Sequence, residues 1–165
     1  MLEATAGKKL VYLFRKKTDT AAAGVVALTT ENGRSMSKDS DSTATKDGTI
    51  NTPGTGEQEI TLTAYVPTTG TMLEDREDDM WNDETYSIWE ANLEKPGATT
   101  GKYKGKYFEG IITSMEISSP ADDLASIDIS FAINGSGERG DVTVTDAQAE
   151  AAGYDFKDTV AVTSA

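Results

Sequence analysis

The sequence predicts a mainly β, α+β domain: a two-sheet β-sandwich with one flanking α-helix, a long loop between strands two and three, and an extended C-terminal arm with a short helix. Three observations carry the prediction. Short segments alternate apolar and polar side chains, the period of a half-buried strand. One stretch after Pro67 joins helix-start chemistry to an apolar stripe of helical spacing. Gly, Pro and Asp punctuate the segments, and no internal repeat is visible. Strands with one apolar face bury it as packed layers.

Leu10–Phe14 (LVYLF) reads as the first strand and Val25–Thr30 (VVALTT) as the second. Between Ser35 and Gln58 lies a polar tongue, SMSKDSDSTATKDGTINTPGTGEQ, whose apolar side chains beyond alanine are Met36 and Ile50. By composition it is a disordered insertion, with too little apolar area to offset the entropy of ordering. Glu59–Val66 alternates cleanly: Ile60, Leu62, Ala64 and Val66 on one face, Glu59, Thr61, Thr63 and Tyr65 on the other. Pro67 and the turn residues after it end that strand.

The helix begins at Thr71-Met72-Leu73-Glu74, a capping box with Thr71 as cap and Glu74 reaching back. Met72, Leu73, Arg76, Met80 and Trp81 form its buried stripe, and its first-turn acids suit the helix dipole. Thr85–Leu93, Lys102–Ile117 (bulged or kinked at Gly105 and Gly110) and Leu124–Asn134 are further strands. In the last, Ile127, Ile129, Phe131 and Ile133 face in, whereas Ser126, Asp128, Ser130 and Asn134 face out. The Asp141–Thr145 stretch adds a short strand, and Thr145–Gln148 is a second capping box opening a helix that Gly153 stops. The expected division is a sandwich over 1–134 and a C-terminal arm over 135–165, joined flexibly at Gly135–Gly140.

Composition narrows function. The chain has 165 residues and a net charge of −13, which repels nucleic acid and anionic lipid, since phosphate binding runs on Lys and Arg. A surface to which DNA must not stick remains compatible. No cysteine means no disulfide, thiolate zinc site or thiol nucleophile, and no histidine removes the commonest general base and metal ligand. No apolar run approaches the roughly 20 residues of a membrane span. The N-terminal apolar patch is too short and interrupted for a signal peptide, so a soluble, cytoplasmically made protein is expected. Charge is uneven: Lys8, Lys9, Arg15, Lys16 and Lys17 stand against Glu3 at the N-terminus, while residues 74–90 are acidic but for Arg76. Two solvated faces is the bland interpretation. The sharper one pairs that basic arm with Glu77, Asp78 and Asp79 of a second copy, since opposite patches steer association and orientation.

Chemical motifs do not survive inspection. Gly135–Gly140 matches G-x-G-x-x-G, but the strand-like DVTVT follows where a helix N-terminus is needed, and Glu138 sits where phosphate would approach. Both calcium-loop registers of the tongue fail at a ligand or glycine position. The acids of EDREDD spread around a helix without a second convergent cluster. The aromatics Tyr86, Trp89, Tyr103 and Tyr107 are better read as core or cross-strand pairs than as a glycan platform. No catalytic residue, cofactor or metal is expected.

The order of GKKLVYLFR, DSTATKDGTI, IWEANLEKPG, GKYKGKYFEGIITSMEISSPADDLASIDISFAINGSGERG and VTVTDAQAEAAGYDFKDT, from Gly7 to Thr159, resembles the major tail protein, or tail tube protein, of long-tailed non-contractile phages (siphoviruses) of Gram-positive bacteria. The resemblance implies a β-sandwich with a flanking helix that assembles into hexameric rings stacked as a hollow tube. Strands from six copies would line a lumen through which genomic DNA passes without specific binding, in a virion assembled in the host cytoplasm. Tape-measure, distal tail and terminator proteins are the further partners it implies; no membrane is. The polar strand faces would then line the lumen, with Glu59, Thr61, Thr63, Ser114, Glu116, Ser126, Asp128 and Ser130 as candidates, acids and hydroxyls without a cation. The tongue, with Lys38, Asp39, Asp41, Lys46, Asp47 and Gly48, would join rings, mobile in the free subunit and ordered in the tube. The runner-up is a non-catalytic surface-binding β-sandwich module.

Overall fold

The computed structural model describes residues 2–145 apart from Val25 and Ala27. The predicted C-terminal helix after Thr145 lies outside the described residues. A 3-10 turn, Gly7–Lys9, leads into β1 (Leu10–Lys16). β2 (Thr29–Thr45), β3 (Gly48–Tyr65), α1 (Met72–Trp81), β4 (Thr85–Pro96), β5 (Lys102–Ser118) and β6 (Ser126–Thr143) follow.

The six strands form one antiparallel sheet in the order β1-β4-β5-β6-β3-β2, in place of the expected two-sheet sandwich. A single sheet buries its apolar face by curling. Arg34 on β2 and Glu90 on β4 are four positions apart in the sheet, about 19 Å if it were flat. Their side chains nevertheless meet at 2.8 Å, so the sheet folds over its own contents. Inside lie Tyr12, Phe14, Ile60, Leu62, Ala64, Tyr86, Ile88, Phe108, Ile112, Ile127, Ile129 and Phe131, with Met72, Leu73 and Met80 of α1 packed against them. Phe131 stacks on Phe14 and meets Tyr86 edge-on, at 5.3 and 5.5 Å between ring centroids. A smaller cluster, Val11, Leu13, Ala91, Val142 and Val144, covers the outer face of β1 and β4.

The polar tongue is a β-hairpin, not a loop. β2 and β3 pair from Thr29↔Ala64 out to Thr45↔Gly48, with irregularities at Thr29/Glu31 and Lys38/Ser40. Its backbone groups satisfy one another whatever the side chains, which is why composition alone misjudged it. The turn at Lys46-Asp47 closes on Gly48, whose φ of 133° favours glycine. The expected strand Val25–Thr30 starts late, at Thr29, after Leu28 in the left-handed region at φ 59°.

The expected joint at Gly135–Gly140 lies within β6, which stays paired with β5 to Thr143↔Lys102. Three residues, Gly135 to Gly137, are accommodated where the register shifts between Tyr107 and Glu109. Gly137 has φ 79°, and a Cβ there would lie 2.7 Å from the Phe108 ring. These glycines make a bulge over a core aromatic rather than a hinge. The chain thus passes Asn134, the expected domain boundary, without leaving the sheet.

The helix starts where its cap predicts, but by another contact. The Thr71 hydroxyl donates to Asp75 at 2.9 Å, with no side-chain bond to the helix backbone, and Glu74 is exposed. Asp79 is buried, while Trp81 is 75% exposed. A carboxylate can occupy that stripe because Lys16 reaches it at 2.8 Å, Tyr86 donates its hydroxyl to it, and Arg76 stands at 3.7 Å.

Candidate functional site

Register places the polar faces of four neighbouring strands on one wall, because residues directly opposite in an antiparallel pair share a face. One cross-strand row is Gly33–Thr61–Ser130–Ser114 on β2, β3, β6 and β5. The next is Glu31–Thr63–Asp128–Glu116. Tyr65–Ser126–Ser118 lies beyond, and Ser35–Glu59–Ala132–Ile111 lies on the other side. All eight sequence-predicted residues, Glu59, Thr61, Thr63, Ser114, Glu116, Ser126, Asp128 and Ser130, therefore share a face opposite the Ile127, Ile129 and Phe131 core. The bulge between Ile112 and Ser114 keeps Ser114 and Glu116 on it. Were Thr113 paired regularly with Ser130 instead of bulged, everything in β5 past it would face the other way.

Glu31, Gly33 and Ser35 of β2 belong to the wall and escaped the sequence reading. Their strand has no apolar alternation to betray its period; only the unbroken exclusion of cations from odd positions could have signalled it. Electrostatically the wall is one-signed. Glu116 and Asp128 stand directly opposite each other, an arrangement destabilising by roughly 0.2–1 kcal/mol. The Thr63 hydroxyl donates to Asp128 at 2.7 Å and holds that carboxylate in place.

The hairpin residues Lys38, Asp39, Asp41, Lys46, Asp47 and Gly48 are all exposed. At its base the hairpin is pinned. Arg34 pairs with Glu90 through two nitrogens, Nε at 2.8 Å and Nη2 at 3.3 Å, and lies over the Phe108 ring. The Tyr12 hydroxyl donates to the same carboxylate at 2.5 Å, and burial above all, with that bond, pushes the phenol's pKa up. Gln58 Nε2 donates to the Gly135 carbonyl at 2.8 Å, tying the hairpin base to the β6 bulge.

Of the predicted inter-subunit charges, several are engaged within their own chain. Asp79 is the clear correction: it is 3% exposed and held by Lys16, Tyr86 and Arg76, so it offers nothing to a neighbour. Lys17 pairs with Glu109 at 3.2 Å. Arg15 lies over the Trp89 ring and donates to the Ala21 carbonyl at 3.0 Å. Lys8, Glu77 and Asp78 are exposed and Lys9 is half-buried. The basic arm does meet the acidic helix, but through Lys16 and Asp79 of one chain.

A family model described as phage tail tube protein matches residues 4–139. The chain belongs to the phage tail tube protein family. It is 30% identical over 154 residues to a tail protein of Staphylococcus phage phiMR25, covering 90% of this chain and 80% of that protein. Its fold is similar to that of the SPP1 tail tube (TM-score 0.72, 21% identity, 98% of this chain and 95% of that one). It is also similar to the tail of an empty gene transfer agent particle (TM-score 0.63, 13% identity, 82% and 98%). A tube–sheath complex of an extracellular contractile injection system matches more distantly (TM-score 0.52, 16% identity, 81% and 89%). This tail tube protein is a structural component of the virion, not an enzyme.

Proposed function

We propose that six copies of this chain close into a ring, that rings stack into a hollow tube, and that the wall of β2, β3, β6 and β5 faces the lumen. The observation that carries this reading is the wall itself: four contiguous strands whose shared face is mostly hydroxyls and acids, with Ala132 and Ile111 in one row, and no Lys or Arg among the paired rows. Such a surface repels the phosphates of passing DNA and leaves nothing for them to bind. The cost of setting Glu116 opposite Asp128 makes sense as a requirement of transit rather than of folding.

Edge chemistry supports closure. β2 is a sheet edge, and β5 pairs with β4 only as far as Ile111, so Thr113–Ser118 also has a free side. Joining those two edges between neighbours would remove both and their aggregation hazard. The hairpin then projects along the tube axis toward the next ring, and tape-measure, distal tail and terminator proteins are the expected partners at the tube's ends. Assembly takes place in the host cytoplasm. Helical reconstruction of tubes grown from purified protein tests the reading. Glu116 and Asp128 are expected in the lumen; Ile127 or Ile129 there would overturn it. Tubes carrying Asp128→Lys and Glu116→Lys are expected to eject DNA more slowly, and an unchanged rate would remove the electrostatic role.

A further inference from the structure

We infer that Asn134 is a self-modifying site: its side chain cyclises onto the Gly135 backbone nitrogen and reopens as isoaspartate or aspartate, with no reagent but water. The inference holds for the single subunit, with or without the tube. The step balances. The Gly135 nitrogen attacks the Asn134 Cγ and gives up its proton, and the side-chain nitrogen leaves as ammonia. Water then opens the cyclic imide at either carbonyl; opening at the main-chain carbonyl leaves the backbone running through the side-chain carbon. Ring closure is easiest when the following residue has no side chain, and it needs the intervening backbone to rotate out of the extended form. Asn-Gly occurs at Asn32-Gly33 and at Asn134-Gly135, so one pair serves as the control for the other.

The two pairs are held differently. Asn32 and Gly33 pair with Leu62 and Thr61 of β3. Asn32 is half-buried, and a Cβ at Gly33 would lie 2.8 Å from the Thr61 hydroxyl oxygen. Ring closure there waits for the ladder to open locally. Asn134 stands opposite Glu109, but the next paired residue of β6 is Glu138, opposite Tyr107. On the other side the β3 ladder stops at Gln58↔Ile133. Gly135 therefore has no partner residue on either neighbouring strand. Asn134 and Gly135 are exposed, the Gly135 φ is 71°, and nothing lies within 4 Å of where its Cβ would be. Among the described residues no side-chain hydrogen bond holds the Asn134 carboxamide. The modification acts on the hairpin's base. The Gly135 carbonyl accepts from Gln58 Nε2 at 2.8 Å, and Gln58 Oε1 accepts from Arg34 at 3.3 Å. Isoaspartate lengthens the main chain beside that carbonyl and sets a carboxylate opposite Glu109, a destabilising like-charge pair. Lys17, 3.2 Å from Glu109, offsets part of the repulsion.

Peptide mapping by mass tests the site, on the full chain aged in mildly alkaline buffer, folded and in urea. In urea both Asn-Gly peptides are expected to gain the acid mass at similar rates, as local chain chemistry dictates. In the folded protein the Asn134 peptide is expected to be lost to two acid products, isoaspartate in excess, while the Asn32 peptide persists. Asn134 left intact in the folded protein after it has converted in urea would overturn the inference. Conversion of Asn32 at the same rate in the folded protein would overturn it too, since the bulge would then confer nothing. Asn134→Gln lengthens the side chain, disfavours the ring and is expected to keep its mass throughout. Hydrogen exchange reads the consequence. Amides of residues 36–58 should exchange faster in aged wild type than in fresh protein, with no such change in aged Asn134→Gln. Equal exchange in aged and fresh wild type would overturn the effect on the hairpin's base.

Discussion

One strand lives two lives. From Gln58 to Tyr65, β3 is paired on both sides, to β2 and to β6, and Ile60, Leu62 and Ala64 are buried. From Gly48 to Glu57 it is paired to β2 alone, and nearly every side chain is exposed. The inner half is held by the hydrophobic effect, the outer half by a backbone ladder that is marginal in water without a third strand or an apolar face. Order in the outer half adds little to the subunit's stability, so the ring-to-ring role proposed for it can be tested apart from folding. A protein destined to polymerise gains from this division: the part that carries the fold is separate from the part that reaches.

The sharpest way to break the comparison is to remove the outer half. Deleting Ser40–Asn51 is expected to leave a chain with the same cooperative melt, its sheet signal by circular dichroism lower only by the strand residues removed, yet no tubes in the electron microscope. Tubes of normal length from that deletion would show the hairpin to be dispensable. Damage to the inner half should do the opposite. Phe131→Ala removes a ring that is 1% exposed and stacked on Phe14, at an expected cost of about 3–5 kcal/mol. At roughly 2–4 °C per kcal/mol for a chain of this size, the melting point falls by about 6–20 °C or the domain fails to accumulate. The seam between the halves is intermediate. Arg34→Met strands the Glu90 carboxylate with only the Tyr12 hydroxyl, and should cost about 1–3 kcal/mol. It should also loosen the hairpin's base, read as faster amide exchange in Met36–Gln58 than in Ile60–Ala64.

The same division decided what could be seen in the sequence. The inner halves of β3 and β6 were legible because Ile60-Leu62-Ala64 and Ile127-Ile129-Phe131 alternate with hydroxyls and acids, and that alternation also identified the wall. The hairpin was not, since its order comes from backbone pairing that composition does not report. Its turn did carry a signal: Asp47-Gly48 sits between β-branched Thr43, Thr45, Thr49 and Ile50, the text of a hairpin. The single curled sheet was illegible for another reason. Alternation says that each strand buries one face, not whether a second sheet or the far side of the same sheet covers it; the Arg34–Glu90 contact that settles this spans 56 residues. Asp79 misled because an acid on a helix reads as solvated until its partners, Lys16 and Tyr86, arrive from β1 and β4.

That buried carboxylate sharpens the comparison from the alkaline side. Its hydrogen bond and charge raise the Lys16 pKa above the ordinary 10.5, and burial, with the same carboxylate, pushes Tyr86 up as well. The folded chain therefore holds these protons more tightly than the unfolded one. The stability they confer is fully present below the unfolded values and lost as pH rises through the folded ones. Thermal melts above pH 10 should fall more steeply for the wild type than for Lys16→Met, with the inner sheet's amides opening before any change in the hairpin's.

The smallest expected effect lies on the acid side, at the tip of the β4–β5 connection. Asp141 accepts the Ala98 N–H at 3.0 Å and pairs with Lys104 at 3.3 Å. The amide first, and Lys104 after it, lower its pKa below the ordinary 3.8. Here the sign reverses: the contribution is present above the unfolded value and lost as pH falls through the folded one. The carboxylate is solvated, so exposed-pair screening keeps the effect slight. Asp141→Asn preserves an acceptor for Ala98 and removes only the charge. Its melting point should sit just below the wild type's at pH 6 and coincide with it at pH 2. A gap that persisted at pH 2 would assign the effect to the amide contact's geometry rather than to charge. A gap comparable to that of Arg34→Met would mean that this connection, and not the hairpin seam, is where the sheet is latched.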